Sequence, residues 1–84
     1  MYEVKISAAA EKQLRKLERQ MQQRILASLE RAKIRPESFF EKLVGEEAYR
    51  LRVGDYRVIA QIEHKVLVIL VIKVGHRKNI YNSL

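Results

Sequence analysis

The last third of the chain carries the pattern that most limits the possible folds. Apolar and polar residues alternate over 49–53 and again over 56–63, while 66–74 is mostly apolar. Alternation with a period of two puts successive side chains on opposite faces of a β-strand. We therefore predict three strands, joined by a Gly54-Asp55 turn and a tight His64-Lys65 connection. The third is expected at the centre of a sheet, since both of its faces are apolar.

Arginines recur in this region where strands need no charge. Arg50 and Arg52 alternate with the apolar residues of the first run, Arg57 occupies the polar phase of the second, and Arg77 follows the third. A planar, permanently charged guanidinium group suits phosphate oxygens. A solvated strand face is the ordinary explanation of Arg50 and Arg52, but a third arginine in the same phase weakens it.

The charge distribution agrees with this interpretation. The formal net charge is +7, and residues 48–84 hold seven of the 17 basic residues but only two of the ten acidic ones. A concentrated basic excess attracts polyanions such as nucleic acids. Solubility alone is the alternative, and charge by itself does not decide between them.

The first half of the chain predicts one strand and two helices. Tyr2, Val4 and Ile6 alternate with polar residues, and leucines and other apolar residues then recur every three or four positions over 8–33. Ser7 is a candidate N-cap. We expect a helix break near Glu18–Met21, an end to the helices before Pro36, and a linker over 37–47.

Together these elements predict an α+β fold with the order β-α-α-β-β-β. The helix hairpin is expected to pack on one face of a small, mainly antiparallel sheet, leaving the basic face open. Residues 1–84 are expected to form a single domain.

Composition excludes several classes of site. Without cysteine there can be no disulfide or thiolate ligand, and His64 and His76 are the only histidines. His64 is expected to be merely solvated in a turn. The N-terminus does not resemble a signal peptide, and the longest apolar run is too short for a membrane helix. We expect a cytoplasmic protein without a metal site, a small-molecule cofactor or a membrane partner.

Two segments at a characteristic separation resemble a known family. Gly54-Asp55-Tyr56-Arg57-Val58-Ile59 is followed by Val71-Ile72-Lys73-Val74-Gly75-His76-Arg77, and Tyr49-Arg50-Leu51-Arg52 precedes both. With the strand and helix hairpin at the start, the chain resembles the RelE/ParE superfamily of toxins, specifically its RelE-type branch. The likeness extends over nearly the whole chain.

The resemblance implies a function, partners and site residues. RelE-type toxins cut mRNA in the ribosomal A site without a metal, and a cognate RelB-type antitoxin inhibits them. The partners implied here are therefore that antitoxin, the ribosome and mRNA. The family's basic pair on the second strand matches Arg50 and Arg52, and its later arginines match Arg57 and Arg77. Its C-terminal tyrosine is matched by Tyr81.

Metal-free RNA cleavage by the ribose 2′-OH defines three tasks. A base must deprotonate the 2′-OH, cations must stabilise the phosphate oxygens, and an acid must protonate the 5′-oxygen. Arg57 and Arg77 are expected to be the cations, with Arg50, Arg52 and Lys78 binding the RNA backbone.

The proton-transfer groups are less determined by the sequence. Arginine is a poor base, which leaves His76 and Tyr81. His76 could instead only cap the strand end, and Tyr81 could stack on a base or pack at the C-terminus.

Two other functions stay open. A ParE-like toxin would share the scaffold but poison DNA gyrase, and a non-catalytic module would only bind RNA or sequester antitoxin. An amphipathic antitoxin helix is expected to bind the basic sheet and the outer face of the helix hairpin.

Overall fold

The computed structural model describes residues 1–81. It contains two α-helices, a short 3-10 helix and five strands. In chain order these are β1 (Glu3–Ile6), α1 (Ala8–Arg15), α2 (Arg19–Ala32), the 3-10 helix (Pro36–Ser38), β2 (Phe40–Lys42), β3 (Tyr49–Val53), β4 (Tyr56–Glu63) and β5 (Val68–His76). The predicted α+β class and element order are confirmed, with one strand more than expected.

The helix hairpin is defined by polar contacts at its ends. The Ser7 side chain accepts a hydrogen bond from the backbone N–H of Ala10 (3.1 Å), which confirms the predicted N-cap. The break comes slightly earlier than predicted, since α1 ends at Arg15 and α2 begins at Arg19. Neither glycine nor proline marks it. Instead the Gln22 amide donates to the carbonyl of Leu17 (2.8 Å), satisfying an acceptor that the end of α1 leaves unpaired.

The sheet has the strand order β1-β5-β4-β3-β2, with β1 parallel to β5 and the other pairs antiparallel. The predicted linker over 37–47 was wrong in part, because it contains β2. Three residues are too few for alternation to be visible in the sequence. The predicted start of the last strand at Val66 was also wrong. Val66 and Leu67 belong to the β4–β5 connection, where Leu67 has a φ of 55°.

The main core lies between the helices and one face of the sheet. Ile25 and Leu29 of α2 pack there with alternate residues of the central strands, including Val58 and Ile69. These four side chains are nearly or fully inaccessible to solvent. The helix hairpin therefore covers one face of the sheet. The polar side chains of β3 lie on the other face.

The opposite face is not bare at its centre. Ile80, in the turn after β5, is 1% exposed and packs with Ile59 and Ala48. A methyl group added to Gly75 would lie only 3.1 Å from Ile80 Cδ1, so Ile80 sits directly on that glycine. The C-terminal turn is thus anchored on the basic face.

Among residues 1–81, no helix is long and apolar enough to cross a membrane.

Candidate functional site

Three of the predicted arginines share the face opposite the helices. Arg52 is paired in register with Arg57 across β3 and β4, and Arg57 with Gly75 across β4 and β5. Arg50 belongs to the same strand phase as Arg52 and faces Ile59. The alternation of the sequence therefore located these side chains on one surface.

Arg57 is built into the sheet rather than displayed on it. The residue is only 9% exposed, and its Nη1 donates to the carbonyl oxygens of Gly54 (2.9 Å) and Tyr56 (2.8 Å). These bonds hold the guanidinium group against the β3–β4 turn. Arg57 therefore fixes the geometry of this turn, whatever else its remaining N–H groups bind.

Arg77 reaches the same turn from the C-terminal side. Its backbone N–H donates to the Asp55 carbonyl (2.8 Å), and its Nε lies 3.8 Å from Asp55 Oδ1. Both side chains are largely exposed, so the ion pair contributes little to stability and is readily exchanged for another anion. Arg57 and Arg77 thus both contact the β3–β4 turn.

Arg50 has two partners on this face. Its Nε and Nη2 lie 2.8 and 2.7 Å from Glu41 Oε1, and its Nη1 donates to Tyr81 Oη at 3.3 Å. The hydrogen bonds to Tyr81 and then to Glu41 raise the pKa of Arg50. Tyr81 is therefore brought to the basic face beside Arg50.

The turn after β5 orients the other proton-transfer candidate. The backbone N–H groups of Asn79 and Ile80 donate to the His76 carbonyl (2.9 and 3.0 Å), and His76 Nδ1 accepts from the Lys78 backbone (3.1 Å). The ring contacts Tyr56 edge-on, with centroids 5.4 Å apart. Since Nδ1 is an acceptor, a neutral ring carries its proton on Nε2. Lys78 itself is exposed.

A groove of about 390 Å³ borders the arginines on the β2 side. It is lined by Glu37, Ser38, Phe39, Phe40, Glu41, Arg50 and Arg52. Phe39 is exposed there beside the two arginines, a position typical of residues that stack on bases. The sequence pattern over 37–47 indicated a linker and gave no signal for Glu41, the acidic partner of Arg50.

Two further side chains have surroundings that the sequence did not indicate. Lys73 is in register with Ile59, which places it in the same row of the sheet as Arg50. His64, expected to be merely solvated, lies at the other end of the sheet, where its Nδ1 is 2.7 Å from Tyr2 Oη. It therefore has a structural partner and is separate from the basic face. Within the described part of the chain, no three histidine or carboxylate side chains are grouped as metal ligands.

Comparisons with known proteins agree on one superfamily. Residues 4–81 match the family model of the ParE toxin of the type II toxin–antitoxin system parDE. The archaeal RelE–RelB complex from Pyrococcus horikoshii matches at 32% identity with a TM-score of 0.75, covering 90% of this chain and 94% of that one. A comparison with curated protein sequences found no match.

Two bacterial structures extend the likeness. The intact E. coli RelBE toxin–antitoxin complex matches at 26% identity and a TM-score of 0.79, covering 90% of this chain and 96% of that one. RelBE2 from Mycobacterium tuberculosis matches at 22% identity and a TM-score of 0.83, covering 90% and 98%. At that identity the second match supports the fold alone.

Proposed function

The chain belongs to the RelE/ParE superfamily of type II toxins, and on this premise we propose that it is a ribosome-dependent endoribonuclease that cuts mRNA in the A site. Its membership among toxins of the RelBE kind follows from the family and structural matches. The cleavage reaction is supported chiefly by the convergence of Arg57 and Arg77 on the β3–β4 turn, with Arg50 and Arg52 beside them.

In the proposed reaction the ribose 2′-oxygen attacks the adjacent phosphorus and the bond to the 5′-oxygen breaks. Charge grows on the non-bridging oxygens, and fixed cations stabilise it best when they need no reorganisation. Arg57 is already oriented by Gly54 and Tyr56, and Arg77 can exchange the Asp55 carboxylate for a phosphate. Arg50, Arg52 and Lys78 would bind the RNA backbone.

Two side chains carry the proposed proton transfers. Tyr81 is the proposed base, and its Oη accepts a hydrogen bond from Arg50 Nη1 on the basic face (3.3 Å). As an imidazolium, His76 would donate a proton to the 5′-oxygen and be left as the neutral ring. The 2′-OH proton thus passes to Tyr81, and the leaving oxygen takes its proton from His76.

The proposed partners are the ribosome with its mRNA and a cognate RelB-type antitoxin. The antitoxin is supported by structural neighbours that are toxin–antitoxin complexes. A ribosomal target implies a cytoplasmic location.

A ParE-like toxin directed at DNA gyrase is the second candidate, because the matching family model is that of a ParE toxin. The two functions are separated by inducing the protein in cells and mapping mRNA 5′ ends while monitoring DNA damage. Codon-phased cuts within translated frames are expected. DNA damage with intact mRNA would favour the ParE-like function, and no growth effect would favour a non-catalytic module.

Two variants test whether the mRNA cuts mapped in cells depend on the basic face. Arg77→Ala should abolish both the cuts and the growth arrest, because it removes a cation from the reacting phosphate. Arg19→Ala is the matched control, since Arg19 is an exposed arginine at the start of α2. Persistence of codon-phased cuts in R77A would contradict the assignment of Arg77.

A further inference from the structure

A second basic groove lies between α2 and the β3–β4 turn, outside the proposed cleavage face. Its volume is about 300 Å³. It is lined by Arg24, Ala27, Ser28, Arg31, Arg52, Val53 and Gly54. None of these lining residues is acidic, whereas the cleavage face includes Glu41 and Asp55 as partners of its arginines.

The groove exists because small residues separate the arginines on α2. Arg24 and Arg31 are seven positions apart, about two helical turns, and therefore project from the same side of the helix. Ala27 and Ser28 lie between them and fill little space. Opposite, Gly54 has a φ of +59°, and a Cβ there would lie 3.3 Å from the Arg24 guanidinium nitrogens. A larger residue at this position would force the Arg24 side chain to move.

The charges in this groove are not neutralised by the protein. Among residues 1–81, Arg24 and Arg52 have no hydrogen-bond or ion-pair partner, and Arg31 donates to the neutral Ser28 hydroxyl (3.3 Å). Neighbouring cations without counter-charges repel one another and attract anions. Guanidinium groups also match the geometry of phosphate oxygens. The groove is therefore suited to a phosphate-bearing ligand.

We propose that this groove binds phosphates of an RNA backbone and is a second anchoring site for RNA beside the cleavage face. Arg52 connects the two surfaces, because it lines both this groove and the groove that contains Arg50 and Phe39. One RNA strand can therefore contact both without leaving basic surface. The choice of RNA over an acidic protein rests on this continuity and hence on the proposed function.

The test measures binding separately from cleavage. A short fluorescent single-stranded RNA with 2′-O-methyl groups cannot be cut, so its affinity is measured by anisotropy over a range of salt concentrations. The variants are Arg24→Glu, Arg31→Glu and the pair combined. Arg19→Glu is the control, with the same charge change on a different face of α2. Circular dichroism and thermal unfolding verify that each variant folds.

Each phosphate contact that is lost should reduce the slope of log affinity against log salt by about one. R24E and R31E should each show this reduction and weaken binding irrespective of RNA sequence, and R19E should not. A slope for the double variant equal to that of R19E would overturn the proposal. If the variants instead weaken only binding of a poly-glutamate peptide, the groove is a protein-binding site and the proposal is wrong.

Ala27→Glu keeps the test decisive if an arginine variant fails to fold. The new carboxylate lies four residues before Arg31, an arrangement that stabilises helices slightly. It should block the groove without destabilising the fold, and unchanged RNA affinity would contradict the proposal. The outcomes are also distinct from failure of the proposed function. If the groove variants bind RNA like R19E while the wild-type protein cleaves mRNA on ribosomes, only the groove proposal is refuted. If they bind RNA more weakly while the wild-type protein does not cleave, only the nuclease proposal is refuted.

Discussion

The three arginines on the basic face have different surroundings and therefore different roles. Arg57 is nearly buried, with Nη1 bound to two backbone carbonyls, whereas Arg50 is accessible and paired with Glu41 and Tyr81. The Arg52 side chain has no hydrogen-bond or ion-pair partner among residues 1–81. The sequence predicted their common face, since strand alternation determines it. It could not predict their partners, because these come from β2 and the C-terminal turn.

Removing the Glu41 charge should strengthen RNA binding. Glu41 would compete with a bound phosphate for Arg50, and the exposed pair between them is weak. Glu41→Gln should therefore raise the affinity for uncleavable RNA by up to about fivefold at low salt, and the gain should diminish as salt screens the pair. Anisotropy titrations measure both effects.

Glu46→Gln makes the same change in net charge elsewhere and is the control for that experiment. Glu46 is exposed in the β2–β3 loop, where its backbone carbonyl, and not its carboxylate, accepts from Lys42. Equal gains for E41Q and E46Q would mean that net charge alone is responsible and that Glu41 does not restrain Arg50.

The proposed base and acid should be distinguishable by pH. A base must be deprotonated, so it produces a limb in which the rate rises with pH, and an acid produces the falling limb. Tyr81→Phe should remove the rising limb and His76→Gln the falling limb. Each should reduce single-turnover cleavage on ribosomes by about 10²–10⁴-fold.

His64→Gln and Tyr49→Phe are the matched controls for that profile. Both residues lie in the aromatic contact at the other end of the sheet, where their rings are 6.4 Å apart. They should leave the shape of the profile unchanged. A rising limb that survives in Y81F would exclude Tyr81 as the base.

At the scale of elements, the C-terminal turn assembles the site. It places Ile80 on Ile59 and Gly75, and this anchor positions His76 and Tyr81 on either side of it in the chain. One isoleucine among polar residues gives no periodic signal, so its burial could not be inferred without the sheet beneath it.

Shortening the Ile80 side chain should lower both the stability of the fold and the cleavage activity. Ile80→Ala leaves a cavity on the sheet, and comparable Ile→Ala changes cost about 2–5 kcal/mol. The turn should loosen, so cleavage should fall further than the unfolded fraction explains. Urea unfolding and ribosomal cleavage at a temperature where the variant remains folded measure the two effects.

Val44→Ala is the control for Ile80→Ala, because Val44 is fully exposed and belongs to neither core cluster. It should change the free energy of unfolding by no more than about 0.5 kcal/mol. An I80A variant with wild-type cleavage when folded would show that the turn does not depend on this anchor.

The strands and helices differ in how far the sequence determined them. The patterns of β3 and β4 were readable because each strand has one covered face and one polar face. The short β2 was not predictable, because it depends on pairing with β3. The start of α2 was not predictable either, because it depends on the Gln22 side chain. Local pattern thus predicted the long elements, and tertiary contacts determined the short ones and the ends.

At the scale of the whole molecule, the basic face of the free protein would position an RNA substrate poorly. Two of its arginines are paired with the protein's own carboxylates in the free state, and the face is shallow and open. Precise positioning of the reacting groups contributes a large part of catalysis, and an open surface provides little of it. We therefore expect the ribosome to supply the alignment of the mRNA.

The purified protein should accordingly cleave naked mRNA poorly and the same mRNA rapidly when it is held in a ribosomal A site. Primer extension on matched samples, with and without ribosomes, measures the ratio of the two rates. Because alignment of the reacting groups can lower the activation barrier by several kcal/mol, the two rates should differ by about 10³-fold or more. R77A on ribosomes is the control for contaminating nucleases, since it should give no ribosome-dependent cuts. Equal cleavage of naked and ribosome-bound RNA by the wild-type protein would contradict this dependence, because the open arginine face would then suffice by itself.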